Sequence, residues 1–173
     1  MIAEKMGVDD IDCRIIDLLQ KEPNLTHYQI AEYVNRSQPT VGTRIKRLEK
    51  IGVLKYQAGI NLKEADLCFA RIELQSKKPE RTIEIVKNCP FLLNAIRLSG
   101  DINISIISVG LNYLDIDHIV NCHFRNDPDV VSVHIDIIAD VLHDLVLPID
   151  LNLEYGELDL RNMCNERCRY YSL

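Results

Sequence analysis

Hydroxyl, amide and cationic side chains are concentrated in one short stretch, residues 36–55. Six basic residues and a single acidic one, Glu49, give this stretch a local charge of +5, whereas the whole chain carries −6. Cations neutralise phosphates, and guanidinium, amide and hydroxyl groups hydrogen-bond to base edges, so this composition predicts nucleic-acid binding by one local surface. The candidate contacts are Arg36, Ser37, Gln38, Thr40, Thr43, Arg44, Lys46, Arg47 and Lys50.

A second group of reactive side chains is the pair Cys164 and Cys168. If this segment is helical, residues four apart share one face, and three nearby arginines favour thiolate. Two interpretations involve function: a four-thiolate metal site formed by two copies of the pair, and a redox switch. The alternative is that these are surface or packing thiols. The other four cysteines are scattered, as is typical of reduced thiols in an intracellular protein.

His118 and Cys122 are also four residues apart, with His123 adjacent. Two ligands are too few for a metal site, so packing is the favoured interpretation. The sequence contains no Gly-x-Gly-x-x-Gly, phosphate loop, Gly-x-Ser-x-Gly or His-Glu-x-x-His. We therefore expect a binding protein rather than an enzyme, with no certain cofactor.

Three short helices are predicted to position the basic stretch. The first follows a cap at Asp9 or Asp10, the second begins with the capping box Thr26–Gln29, and the third spans about Ser37–Lys50. Their spacing predicts an inward-facing set: Ile11, Ile15, Leu18, Leu19, Ile30, Ala31, Val34, Val41, Ile45 and Leu48.

The third helix then presents a polar face to solvent. Its outward residues are Thr40, Thr43, Lys46, Arg47 and Lys50, with Arg44 beside them. Val53–Leu54 and Gly59–Ile60 are predicted to be two short strands around a turn, which would form a wing. This winged helix-turn-helix plan places the third helix in the major groove of double-stranded DNA.

The stretches Asp9–Gln20, Ile30–Val34 and Ser37–Leu54 resemble the Lrp/AsnC (feast/famine) family of transcription regulators. The resemblance implies that the helix opening at Ser37, which contains Arg44 and Arg47, reads DNA sequence. It also implies a second α/β domain that dimerises and often binds a small effector, commonly an amino acid.

The second half of the chain alternates strands and helices. Predicted strands are Arg71–Ser76, Leu92–Leu98, Ile102–Ile106 and Val131–Ile137, and predicted helices start at Pro79 and Tyr113. The candidate core of the second helix is Leu114, Ile116, Ile119, Val120 and Phe124. The order β-α-β-β-α-β is ferredoxin-like, so the whole chain is predicted to be α+β.

Four segments follow from this division: residues 1–60 form the DNA-binding domain, 61–69 a linker, 70–150 a dimerisation and effector domain, and 151–173 an extension with the cysteine pair. A ferredoxin-like sheet has one face without helices, and we expect that face to be apolar and closed by a second copy. A homodimer, or a tetramer or octamer built from it, would set two recognition helices about 34 Å apart, one turn of DNA.

The turn at residues 100–103 is the candidate effector site. Family members usually have Gly-x-Tyr-Asp there, and this sequence has Gly100, Asp101, Ile102 and Asn103. By the resemblance, Gly100, Asp101 and Asn103 would contact an amino acid. The alternative is an ordinary turn.

No apolar run of 18 residues and no secretory leader is apparent, so we expect a cytoplasmic protein without a membrane partner. Siroheme decarboxylases resemble these regulators in fold and are the enzymatic alternative. Their His-Cys-Tyr-x-Arg and Trp-Pro-Tyr-Asn segments do not occur in this sequence, which has no Trp. A third hypothesis is an accessory module that only oligomerises.

Overall fold

The computed structural model describes residues 2–149. The chain divides into two compact units, with the boundary between Tyr56 and Gln57. Segment 61–69, expected to be a linker, lies within the second unit, and its Leu62 is buried there. In the range 2–149, no helix combines the length and the hydropathy that a membrane span requires.

The first unit contains four helices: α1 (Ile2–Lys5), α2 (Asp10–Lys21), α3 (His27–Val34) and α4 (Gln38–Lys50). The predicted caps are confirmed, since Asp9 and Thr26 each form a capping box and the Ser37 hydroxyl accepts the Thr40 N–H. One cluster of buried apolar residues holds the helices together: Val8, Ile15, Leu19, Ile30, Ala31, Val34, Val41, Ile45, Leu48 and Leu54.

The second unit contains a four-stranded antiparallel sheet and a two-stranded ribbon. Its elements are β1 (Ile60–Asn61), β2 (Cys68–Ser76), α5 (Pro79–Asn88), β3 (Leu92–Arg97), β4 (Ile104–Gly110), α6 (Tyr113–Val120), β5 (Val130–Ile137) and β6 (Val146–Leu147). A π-helical turn at Asn121–Arg125 extends α6. The sheet order β3-β4-β2-β5, with α5 and α6 as crossovers, confirms the ferredoxin-like prediction.

The segment after α4 differs from the predicted wing hairpin. The N–H groups of Val53 and Leu54 both donate to the Leu48 carbonyl, at 3.1 and 3.2 Å, so this pair closes the helix instead of forming a strand. Ile60 pairs with Leu147 in the ribbon β1–β6. The predicted pairing of 53–54 with 59–60 is therefore wrong, because both segments have other backbone partners.

Gly59 explains why the ribbon forms at this point. A Cβ atom on Gly59 would lie 2.3 Å from the Leu147 carbonyl oxygen, closer than any side chain permits. Glycine therefore allows the backbones at 59 and 147 to meet.

The core of the second unit lies between the sheet and its two helices. Alternation along β2 turns Ile72 and Leu74 toward this core, where Phe124 is also fully buried. Leu114, predicted as core, is 68% exposed. It precedes the buried Ile116 by two residues, about 200° around the helix, and so faces solvent.

The other face of the sheet is mostly polar, which corrects the expectation of a bare apolar face. Because β2 alternates, Arg71, Glu73 and Gln75 lie on this face, and Arg71 forms an ion pair with Asp136 of β5. At one end of the face, Phe69 and Val109 of the sheet are buried in a separate cluster with Leu62 and with Leu147 of the ribbon. Ile96, which pairs with Ser105, is an exposed apolar residue elsewhere on the same face.

Candidate nucleic-acid interface

The connection between α3 and α4 is the short turn Asn35–Ser37. Asn35 has φ 52° and ψ 55°, a left-handed conformation that asparagine tolerates better than most residues. Further along, a Cβ on Gly42 of α4 would lie 3.2 Å from the ring nitrogen Nδ1 of His27 on α3. The two helices are therefore joined tightly and packed closely, as a helix-turn-helix requires.

The helix α4 presents the predicted polar face. Val41, Ile45 and Leu48 are buried, whereas the residues exposed on α4 and the preceding turn include Arg36, Ser37, Gln38, Thr40, Thr43, Lys46, Arg47 and Lys50. Lys46 and Lys50 form no hydrogen bond or ion pair with any residue between 2 and 149. Their ammonium groups are therefore available to an external anion.

Two arginines of α4 are held by the start of α2. Arg44 Nη1 donates to Asp9 Oδ2 at 2.7 Å and to Asp12 Oδ1 at 2.8 Å. Arg47 Nη2 donates to Asp12 Oδ2, and Arg47 Nη1 donates to the Gly7 carbonyl oxygen at 3.1 Å. We refer to Gly7, Asp9, Asp12, Arg44 and Arg47 as the arginine clamp.

Asp12 lies at the centre of the arginine clamp and is 0% exposed. Its Oδ2 also accepts the Asp9 N–H at 3.1 Å, so both oxygens are bonded. The N-terminus of α2, where it lies, further favours a negative charge. A buried carboxylate is tolerated only when it is compensated in this way.

Asp9 and Arg44 form one side of the clamp, where the Asp9 side chain is 55% exposed and the Arg44 side chain 25% exposed. The Asp12 backbone N–H, followed by the Arg44 guanidinium, holds the pKa of Asp9 below its usual value of 3.8. Hydrogen bonds to Asp9 and then to Asp12 raise the pKa of Arg44. Both groups are therefore charged near neutral pH.

Sequence reasoning assigns Asp9 to a cap and misses the clamp. A signal was present, because Asp12 falls on the same helical stripe as Ile15 and Leu19, and all three are buried. An acidic residue on a buried stripe requires a cationic partner. Arg44 and Arg47 are cations that α4 directs toward α2.

The candidate effector turn contains one side chain that is already engaged. Asn103 Nδ2 donates to the Ser76 carbonyl at 2.7 Å, and its Oδ1 accepts the Ser76 N–H at 2.9 Å. The Asn103 side-chain amide thus pairs with the backbone of the last residue of β2 and fixes the turn. Gly100 and Asp101 are exposed.

The candidate cysteine sites differ in what the structure shows. Cys164 and Cys168 lie outside the described residues. Cys122 Sγ lies 3.4 Å from His118 Nε2, and His123 is buried, which together with the nearby His118 lowers the His123 pKa. Over residues 2–149, no three His, Cys, Asp or Glu side chains are grouped in a way that could hold a metal ion.

Comparison with known families adds to this geometry. A family described as winged helix-turn-helix DNA-binding matches residues 8–55. The HTH-type transcriptional regulator LrpC of Bacillus subtilis is 26% identical over 99 residues, 55% of this chain and 69% of that protein. The HTH-type transcriptional regulator LrpA of Pyrococcus abyssi is 30% identical over 98 residues, 54% of this chain and 70% of that protein. Over the first three relatives found, the matched segment spans 58 to 69% of the relative's length.

Solved structures extend the likeness to both units. A transcriptional regulator from Neisseria meningitidis, crystallised in complex with L-Met, has a TM-score of 0.69 at 22% identity. The match covers 83% of this chain and 97% of that one. The likeness shows a shared fold.

Proposed function

Because the chain belongs to the Lrp/AsnC family of transcription regulators, we propose that it binds double-stranded DNA sequence-specifically and regulates transcription. The observation that supports this proposal is the exposed face of α4, which combines hydroxyl, amide and cationic groups on a helix set by a tight turn. A helix of this kind fits the major groove.

Two kinds of contact divide the work. Lys46 and Lys50, supported by Arg36 and Lys55, contact phosphates and supply affinity that falls with salt. The base-reading set comprises Gln38, Thr40, Thr43, Arg44 and Arg47 with Ser37 beside them. Arg44→Ala or Arg47→Ala then costs about 1–3 kcal/mol of binding at a specific site.

The test is DNA binding by fluorescence anisotropy across a salt series, with a duplex obtained by in vitro selection with the full chain. Lys46→Ala and Lys50→Ala should each weaken binding and reduce the slope of log affinity against log salt concentration by about one. Lys21→Ala, an exposed lysine on α2, is the matched control, since it removes the same charge away from α4. A wild-type chain that no duplex retains, or equal effects of all three variants, would exclude the proposal.

The proposed regulator acts as a homodimer or a larger homo-oligomer. The sheet face without helices carries complementary charges, Arg71 beside Asp136 and Glu73 opposite His134, which a second copy can pair. Light scattering on the eluting protein tests this. Arg71→Asp should shift the protein to a monomer, and Arg71→Asp/Asp136→Arg should restore assembly. Equal masses for the wild type and both variants would count against this face as the interface.

An amino acid is the proposed effector class. A structural neighbour of the same fold was crystallised with L-Met. In this chain the Asn103 amide braces the turn, which leaves Asp101 and the Gly100 backbone for a ligand's ammonium group and carboxylate. A thermal-shift screen of amino acids against wild type and Asp101→Ala tests this, because stabilisation should occur only in the wild type.

A further inference from the structure

We propose that Asp12 is a positioning residue for sequence selectivity: it holds the guanidinium groups of Arg44 and Arg47 in the orientation that reads bases. This inference rests on the proposed function. It does not place Asp12 in contact with DNA, since the carboxylate is fully buried.

The first observation is that the clamp leaves donors unused. A guanidinium carries five N–H donors. The bonds of Arg44 to Asp9 and Asp12 all come from Nη1, so its Nε and Nη2 have no acceptor in the described part of the chain. Two adjacent donors on one side of a guanidinium match the O6 and N7 acceptors of guanine.

The second observation is the position of these donors. Thr40, Thr43, Arg44 and Arg47 line one open concavity of about 860 Å³, together with their partners Asp9 and Asp12. The clamped guanidinium groups are therefore beside the hydroxyl groups of the exposed α4 face. A duplex that meets Thr40 and Thr43 also meets Arg44.

The third observation separates Asp12 from Asp9. Asp12 bonds both arginines from a position that water does not reach, so the two guanidinium groups share one fixed anchor. Asp9 is 55% exposed in its side chain and contacts only Arg44 of the pair. An arginine side chain that nothing holds loses rotamer freedom when it binds a base, which costs binding free energy. The bond to Asp12 imposes this loss already in the free protein, so binding costs less.

The experiment compares two duplexes of equal length and composition: one selected in vitro with the wild-type chain, and one with its sequence scrambled. Dissociation constants are measured at one salt concentration for the full chain and three variants. Asp12→Asn removes the anchor charge. Asp9→Ser keeps a capping oxygen but releases Arg44 from one carboxylate. Asp17→Asn, on the exposed Asp17–Lys21 pair of α2, changes the net charge identically and is the control.

We expect Asp12→Asn to lower the ratio of specific to scrambled affinity by about 5- to 150-fold, the value of one bidentate arginine–guanine contact. Asp9→Ser should lower it less, and Asp17→Asn should not change it. Each guanine of the selected duplex is then replaced in turn by 7-deazaguanine, which lacks N7. We expect one position at which this replacement weakens binding by the wild type but does not further weaken binding by Asp12→Asn.

An unchanged ratio of specific to scrambled affinity would overturn the inference, whether both affinities stay the same, fall in parallel or rise in parallel. A parallel loss indicates a purely structural role, and a parallel gain indicates that the acid only repels DNA. If circular dichroism shows that Asp12→Asn is unfolded, the Asp9→Ser ratio decides the matter. If the proposed function itself fails, the wild-type chain will retain neither duplex. Wild-type binding therefore distinguishes that failure from failure of this inference.

Discussion

The two arginines of the clamp should behave non-additively when both are removed. In Arg44→Ala, Asp12 keeps its bond to Arg47, and in Arg47→Ala it keeps its bond to Arg44. Both arginine side chains are partly solvated, at 25% and 44% exposure, so each single change should cost only about 1 kcal/mol of stability.

The double variant Arg44→Ala/Arg47→Ala should lose much more stability, because it leaves a fully buried carboxylate without a cation. An uncompensated buried charge costs about 3–5 kcal/mol. The coupling between the two positions is then about 1–3 kcal/mol beyond the sum of the single changes. Adding Asp12→Ala to the double variant should recover part of the loss, since it removes the unpaired charge.

Amide hydrogen exchange of α4, followed by mass spectrometry on the full chain, measures the opening free energy of the first unit directly. Lys46→Ala/Lys50→Ala is the matched pair on the same helix, and its two effects should add. Additive effects for Arg44 and Arg47 within about 0.5 kcal/mol would refute the reasoning that they share one buried anchor.

Three further outcomes follow from local geometry. Asn35→Ala should destabilise the first unit by about 1 kcal/mol and Asn35→Gly should not, because the left-handed backbone penalises Cβ; thermal unfolding measures this. The free energy of unfolding of the second unit should fall as pH drops below 6.5, because burial lowers the pKa of His123 and the unfolded chain therefore binds the proton at a higher pH. In urea unfolding, His123→Gln should flatten this pH profile, and His134→Gln, at an exposed histidine, should not. Gly59→Ala should accelerate exchange of the amides of β1 and β6, since its Cβ would overlap the Leu147 carbonyl; unchanged protection would contradict that contact.

Local signals were sufficient to predict most of the secondary structure. The capping boxes at Asp9 and Thr26, and the period of Val41, Ile45 and Leu48, depend on residues within a few positions of each other. Sequence patterns report such short-range chemistry directly.

The predictions that failed depend on partners far away in the chain. Ile60 has the composition of a wing strand, but its backbone partner is Leu147, which no local pattern can identify. Topology alone predicts that the bare sheet face is apolar, whereas the alternation of β2 places Arg71 on it. The identity of the exposed α4 residues could be predicted, but the acceptors of Arg44 could not, since they lie on another helix.

The ribbon β1–β6 has a consequence for the order of folding during synthesis. The core of the first unit is complete once Leu54 has left the ribosome, so its helices can pack while the rest is still being made. Strand β1 follows only six residues later but has no pairing partner until Val146 and Leu147 are added. Until then the apolar residues Leu62 and Phe69 lack the cover that β6 provides, so the nascent chain exposes them to misassociation during this interval.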